Sequence, residues 1–137
     1  MRSDVLIIGA GPVGLSLALE LSMQGVHSIV VERRSKGENT TVRCNHVSSR
    51  SMEFFRRHGF ASVVRQSGLP SDYPHDISYR TSTTGRELSR IKIAPWGDRF
   101  TERDTGVDSR WATAEPPHRL NQLFLEPLMI DAALKRP

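Results

Sequence analysis

The sequence feature that most constrains the fold is a glycine-rich turn between two apolar runs near the start of the chain. Residues 4–33 read DVLIIGAGPVGLSLALELSMQGVHSIVVER, in which Gly9, Gly11 and Gly14 match the pattern G-x-G-x-x-G. Between a strand and a helix, the first glycine makes the tight turn, the second lets the backbone approach a diphosphate, and the third lets the helix pack closely on the strand. The pattern predicts a βαβ unit with a phosphate-binding turn.

The residues on either side of the turn agree with this interpretation. The β-branched run at residues 4–8 predicts a strand that is buried on both faces. Pro12 suits the first position of a helix, and the apolar positions up to Met23 predict a helix that is largely covered by protein. Residues 28–31 predict a second buried strand. The N-terminus of the helix would then offer free N–H groups and a positive dipole end to an anion.

Glu32 follows the second predicted strand. A carboxylate at this place in the fold accepts hydrogen bonds from the hydroxyls of an adenosine ribose, and it repels a 2′-phosphate. FAD or NAD therefore fits better than NADP. Arg33 and Arg34 weaken this exclusion, because a guanidinium can pair with a phosphate. An ordinary βαβ turn without a ligand is the alternative interpretation.

The first apolar run has a second interpretation, an export signal, because Arg2 supplies a positive start. Three glycines, a proline and the acids Asp4 and Glu20 interrupt the run, which is also too short for a membrane span. Cys44 is the single cysteine, so an internal disulfide is excluded and a reducing compartment fits. We therefore expect a cytoplasmic protein that does not bind a membrane.

Composition favours an ordinary globular domain. The chain has 137 residues, 37% of them hydrophobic and 25% charged, which is enough for one domain with a core. The net charge of +4 raises the possibility of a nucleic-acid partner. Because the basic residues are scattered and mixed with acids, a solvated surface explains the charge better, and we expect no nucleic-acid partner.

Three further elements are predicted after the βαβ unit. Ser48 or Ser49 can cap a short amphipathic helix that ends at Gly59. Residues 76–93 pair two alternating runs around a glycine turn and predict a β-hairpin, and residues 94–118 read as irregular. The spacing of apolar residues from 120 to 135 predicts a helix whose regular part begins near Pro127. Four aromatic residues suit either packing or an aromatic pocket: Tyr73, Tyr79, Trp96 and Trp111.

Four segments together resemble one enzyme family. The segments GAGPVG, VERR, VRCNHVSSRSMEFFRRHG and PPHRLNQLFLEPL are similar to the N-terminal part of the FAD-dependent aromatic hydroxylases, the flavoprotein monooxygenases of the para-hydroxybenzoate and phenol hydroxylase type. The resemblance implies an α/β fold with a Rossmann-like FAD-binding βαβ unit, an incomplete parallel sheet, and the start of a substrate lobe that contains the β-hairpin. It implies three parts: residues 1–70 and 119–137 in the FAD domain, and 71–118 in the substrate lobe.

The resemblance also implies a set of cofactor contacts and no catalytic acid, base or metal ligand among these residues. A surface salt bridge is the alternative role for Arg43, and Arg50 matches the arginine of the family's RSME segment, with a surface position as its alternative. His46 and Cys44 are interpreted as a loop histidine and a packed thiol. The implied contacts are Gly9, Gly11, Pro12 and Gly14 at the FAD diphosphate, Glu32 at the ribose, Arg33 at the adenosine end, Arg43 at the phosphates, and Gln122 at the ribityl chain.

For the intact enzyme the resemblance implies that NADH or NADPH reduces FAD, and that O₂ then oxygenates a phenol-like aromatic substrate. Two parallel strands leave both sheet edges open, and the DG and GD motifs of the family do not occur in their expected context. We therefore expect an N-terminal piece that is inactive alone. The alternatives are a non-catalytic FAD-binding module, another FAD-dependent oxidoreductase, or an NAD-dependent reductase.

Overall fold

The computed structural model describes residues 3–35, 37, 38, 40, 43–104, 106, 109 and 112–136. Trp111, one of the candidate pocket aromatics, lies outside them. The elements in chain order are β1 (Val5–Ile8), α1 (Pro12–Met23), β2 (Ser28–Val31), α2 (Ser49–Arg57), α3 (Ala61–Gln66), β3 (Ile77–Arg80), β4 (Glu87–Ile91) and α4 (Gln122–Leu134).

The N-terminal elements form the predicted βαβ unit. β1 and β2 pair in parallel, with Val5 opposite Ser28 and Ile8 opposite Val31. α1 begins at Pro12, where the missing N–H of proline costs no helical bond. The glycine turn therefore lies between the carboxyl end of β1 and the amino end of α1, and the α/β fold with a small parallel sheet is confirmed.

Two predictions of burial are wrong for this part of the molecule. Leu6 and Ile8 of β1 are 62% and 84% exposed, and Val13 on α1 is 85% exposed. α1 packs on the sheet face that carries Ile7 and against α4. The opposite sheet face and the outer side of α1 are uncovered by the described residues, so their apolar side chains face outwards.

The core lies between the helices rather than between layers of sheet. α1 packs against α4, and α3 packs against both α2 and α4. Ser48 caps α2 by accepting a hydrogen bond from Ser51 N, as the sequence predicted. The buried apolar cluster consists of Leu15, Leu19, Val47, Met52, Phe55, Phe60, Ala61, Val64, Leu120, Leu125 and Met129.

α4 begins earlier than predicted. Its first residue is Gln122, and the side chain of Asn121 caps it by accepting a hydrogen bond from Leu123 N at 2.9 Å. Pro127 stands inside the helix, where it removes one backbone hydrogen bond, the one to the carbonyl of Leu123. The cap and the packing against α1 hold the first turn, so the expectation of a looser turn before Pro127 is wrong.

The predicted hairpin is present as an antiparallel pair, with Ile77 opposite Ile91 and an irregularity between Tyr79 and Arg80. Both of its faces are largely exposed, including Tyr79. Trp96 is half-buried, and the guanidinium of Arg65 lies 5.1 Å from the centre of its ring. None of the helices in the described ranges combines the length and apolar character needed to cross a membrane.

Two histidines are buried where the N-terminal and C-terminal parts of the chain meet. The backbones of Val47 and His118 form an antiparallel bridge, and His118 Nε2 lies 3.1 Å from the carbonyl of Val64. Neither ring nitrogen of His75 has a hydrogen-bond partner among the described residues. Burial lowers the pKa of both histidines to about 4, with Arg119 acting further on His75 and Arg65 on His118.

We expect acid to destabilise the fold through these histidines. Because their folded pKa values lie below the unfolded value of 6.5, the unfolded chain binds protons first. Their stabilising contribution is therefore complete above pH 6.5 and is lost as the pH falls towards 4. The free energy of unfolding should drop by about 2 kcal/mol for each of the two histidines between pH 7 and pH 5, measured by urea denaturation.

The matched variants are His75→Phe, which removes one buried proton site, and His27→Gln at an exposed histidine. The pH dependence of the unfolding free energy should become shallower in the first variant and stay unchanged in the second. If the unfolding free energy depended on pH equally steeply in the wild-type chain and in His75→Phe, His75 would not be a source of the acid sensitivity.

Candidate cofactor site

The glycine turn has the geometry that the motif predicts. Gly9 has a φ of +106°, a conformation that favours glycine. A Cβ on Gly14 would overlap the carbonyl oxygen of Gly9 and lie 3.2 Å from Ile7 Cγ2. A Cβ on Gly11 would have only Glu126 Oε1 near it, at 4.0 Å. Gly14 is therefore required by packing, whereas Gly11 leaves the backbone open to a ligand.

The amino end of α1 presents backbone donors beside this opening. Leu15 N donates to the carbonyl of Gly11 at 2.9 Å, which is the first bond of the helix. The amides of Val13 and Gly14 precede that bond and have no partner within the helix, since the first turn of any helix leaves its N–H groups unpaired. Together with the helix dipole, these donors favour an anion at the turn.

Glu32 turns its carboxylate back towards the glycine turn. Its Oε2 accepts a hydrogen bond from Ala10 N at 2.7 Å, and its Oε1 accepts one from Arg34 N at 3.0 Å. The Arg34 side chain also bonds to it, and these hydrogen bonds lower the pKa of Glu32 to about 2. The carboxylate is therefore ionised at neutral pH and held next to the backbone of the glycine turn.

A chain of polar contacts joins Glu32 to helix α4. The guanidinium of Arg34 pairs with Glu32 on one side and donates to Glu126 Oε2 at 2.9 Å on the other, which raises the pKa of Arg34. Glu126 Oε1 accepts a hydrogen bond from Gln122 Nε2 at 2.5 Å. Gln122, the first residue of α4, is therefore connected to the carboxyl end of β2 by side chains alone.

A cleft of about 730 Å³ opens beside this network. Glu32, Arg34 and Glu126 line it together with apolar side chains of α1, β2 and α4 such as Leu15, Val30 and Ile130. Small-molecule sites have volumes of about 300–1,000 Å³ and combine apolar walls with a few polar groups. The size and lining of the cleft fit that description.

These residues fit a dinucleotide. The open backbone at Gly11 and the free amides of α1 suit a diphosphate, and the ionised Glu32 next to them suits ribose hydroxyls, which are hydrogen-bond donors. A family model described as an FAD binding domain matches residues 2–137. The chain belongs to this family.

Two curated relatives of this FAD-binding domain are monooxygenases that act on phenols by name. Phenol 2-monooxygenase of Pseudomonas sp. (strain EST1001) is 32% identical over 136 residues, which are 99% of this chain and 21% of the relative. The 2,4-dichlorophenol 6-monooxygenase of Delftia acidovorans is 30% identical over 138 residues, again 99% of this chain and 22% of the relative. The chain thus spans about a fifth of the length of these relatives.

Solved structures of the family agree with the fold. The substrate-free form of the rebeccamycin biosynthetic enzyme RebC superposes with a TM-score of 0.78 at 38% identity, covering 98% of this chain and 25% of that one. Aklavinone-11 hydroxylase in complex with FAD and aklavinone gives a TM-score of 0.75 at 32% identity, covering 98% of this chain and 24% of that one. The flavoprotein monooxygenase resemblance is therefore confirmed.

Within this FAD-binding domain, only some of the predicted site residues lie close to one another. Glu126 links Gln122 through Arg34 to Glu32, and its Oε1 lies 4.0 Å from the position of a Cβ on Gly11. Gln122 N donates to the carbonyl of Cys44, the neighbour of Arg43, at 3.0 Å. The side chains of Arg33 and Arg43 are exposed. Cys44 is exposed as well, so the prediction of a packed thiol is wrong.

Arg50 is also exposed and lies 3.5 Å from Glu53. The structure therefore gives this arginine a surface ion pair on α2 rather than a contact with the turn.

The sequence did not predict Glu126 as a site residue, and it offered Arg34 only as a partner for a phosphate. Arg34, and not its neighbour Arg33, makes the ion pairs with Glu32 and Glu126. Glu126 stands four residues after Gln122, and this helical spacing places both on one face. That spacing was the available signal for Glu126, whereas nothing local distinguishes the two arginines.

Proposed function

We propose that this chain is the FAD-binding, N-terminal part of an NAD(P)H-dependent flavoprotein monooxygenase that hydroxylates a phenol-like aromatic substrate. The observation that carries the proposal is the ionised carboxylate of Glu32, held 2.7 Å from Ala10 N beside the open backbone of Gly11. The relatives that act on phenol and 2,4-dichlorophenol support the reaction class and the kind of substrate. Substrate and O₂ would thus be the small-molecule partners.

Each proposed cofactor contact has a role in binding. Bound FAD supplies the redox chemistry, taking electrons from NADH or NADPH and passing them to O₂. The residues of this chain hold and orient it, and none of them acts as a catalytic acid or base in the proposal. The proposed contacts are Gly9, Gly11, Pro12 and Gly14 at the diphosphate, Glu32 at the ribose, Arg33 at the adenosine end, Arg43 at the phosphates, and Gln122 at the ribityl chain.

The proposal assigns consecutive segments of the chain to two structural parts of the enzyme. Residues 1–70 and 119–137 belong to the FAD domain in this proposal, and residues 71–118 begin the substrate lobe. The packing of α4 against α1 supports the return of the last segment. Because the relatives are four to five times longer than the region they share with this chain, we propose that turnover requires further residues. A reducing, cytoplasmic location suits the single exposed cysteine, Cys44.

The proposal is tested with the purified chain and FAD. We expect a complex that retains the blue absorption band of flavin after gel filtration, with no substrate-dependent oxidation of NADH or NADPH. A longer protein that contains this chain should consume NAD(P)H and O₂ and release a hydroxylated phenol.

Three outcomes would count against the proposal. Hydroxylation by the 137-residue chain alone would overturn the requirement for further residues. Retention of a nicotinamide nucleotide without flavin would indicate an NAD-dependent reductase. Flavin binding by the longer protein without NAD(P)H oxidation would indicate a non-catalytic module.

A further inference from the structure

Glu126 is a buried carboxylate that the proposed function does not use. It is 4% exposed, it lies in the second turn of α4, and it faces the glycine turn. Burying a charge is costly unless the charge is paired and hydrogen-bonded. Arg34 and Gln122 supply that pairing at 2.9 Å and 2.5 Å. Because burying the Glu126 carboxylate is costly and it lies beside the proposed cofactor site, its two partners indicate its role.

The contact with Gln122 fixes the orientation of its amide. An ionised carboxylate can only accept hydrogen bonds, whereas an amide both donates and accepts. Glu126 therefore keeps the Nε2 atom of Gln122 on its own side and turns the Oε1 atom away. A glutamine held in this way presents an acceptor, which suits a hydroxyl donor on a ligand.

The contact of Glu126 with Arg34 connects it to Glu32 at the end of β2. The Arg34 guanidinium lies between Glu126 and Glu32, so it holds the end of β2 to α4 across the cleft. It also offsets the negative charge of Glu126, whose Oε1 is 4.0 Å from the position of a Cβ on Gly11. Without that offset, the carboxylate would repel a diphosphate at the turn.

We propose that Glu126 is a positioning residue for the dinucleotide: through Gln122 it orients an acceptor, and through Arg34 it holds the ribose carboxylate Glu32. This inference rests on the proposed function. In this proposal Glu126 acts through these two side chains, each of which donates a hydrogen bond to one of its oxygens. Its effect on binding must therefore depend on their presence.

A double-mutant cycle tests this dependence. The variants are Glu126→Gln, Gln122→Ala and the double variant, each titrated with FAD by flavin fluorescence and melted without FAD. We expect each single variant to weaken FAD binding about tenfold. The double variant should weaken it by clearly less than about a hundredfold, since the two changes share the contact between Glu126 and Gln122 and only the contact with Arg34 is lost in addition. A residue that matters only for folding would lower the melting temperature and give multiplied losses.

Glu102→Gln is the control, because Glu102 is an exposed acid outside the lining of the cleft. It should leave the affinity for FAD unchanged. A hundredfold loss in the double variant, or an unchanged dissociation constant for Glu126→Gln, would overturn the inference while leaving the proposed function intact. A wild-type chain that binds no FAD would instead overturn the proposed function, and the inference with it.

A second cycle covers the case in which Glu126→Gln does not fold. Arg34→Gln changes a half-buried end of the network that is more accessible than Glu126, and Arg34 and Gln122 are linked through Glu126. If Glu126 relays between them, the losses of FAD affinity in Arg34→Gln and Gln122→Ala should be less than multiplicative in the double variant. Fully multiplicative losses would overturn the relay.

Discussion

Replacement of Gly14 by alanine should lower the free energy of unfolding by about 3 kcal/mol. The added Cβ would overlap the backbone oxygen of Gly9, and it would also press on Ile7 at 3.2 Å. A backbone atom at the end of a strand cannot move aside as a flexible side chain can, so α1 must separate from β1. Urea denaturation monitored by circular dichroism measures the change, and FAD binding should be lost with the packing.

Gly11→Ala is the matched control at the same turn. Its Cβ would enter open space 4.0 Å from Glu126 Oε1, and its φ of −77° is accessible to any residue. The unfolding free energy should change by no more than about 1 kcal/mol. FAD binding should nevertheless weaken at least about tenfold, because the methyl group occupies the path of the diphosphate. Equal losses of stability in both variants would contradict the separate roles of the two glycines.

Replacement of Glu32 by glutamine should weaken FAD binding by about 10- to 100-fold, the value of one or two hydrogen bonds to a charged acceptor. The glutamine keeps the volume of the side chain but removes the charge that attracts ribose hydroxyls. Isothermal titration with FAD measures the loss. Glu102→Gln, which alters an exposed acid outside the lining of the cleft, should retain the wild-type affinity.

The pH dependence of the same binding provides a further check. Hydrogen bonds from Arg34 and Ala10 lower the pKa of Glu32 to about 2. Its carboxylate therefore stays ionised as the pH falls, and its negative charge is lost only near pH 2. Between pH 5 and pH 8, titration of Glu32 should therefore contribute nothing to the affinity for FAD. If Glu32→Gln bound FAD with the full wild-type affinity, the Glu32 carboxylate would not contact the cofactor.

Short-range patterns were sufficient for the elements that surround the turn. The bounds of α1 and β2 follow from Pro12, the glycines and a β-branched run, because these residues restrict the backbone wherever they occur. The cap of α2 at Ser48 follows from a hydroxyl within reach of its own helix. Burial was harder to predict, since an apolar strand has the same sequence whether or not a second layer covers it, as Leu6 and Ile8 show.

The sequence alone determined the glycine turn, the acid that follows β2, and the family to which the chain belongs. Only the tertiary structure decided that Arg34 rather than Arg33 joins that acid, and that Glu126 completes the network. The physical reason is distance along the chain: Arg34 and Glu126 are 92 residues apart. Their pairing exists because α4 packs on α1, and that packing depends on the whole helical core rather than on the residues near either charge.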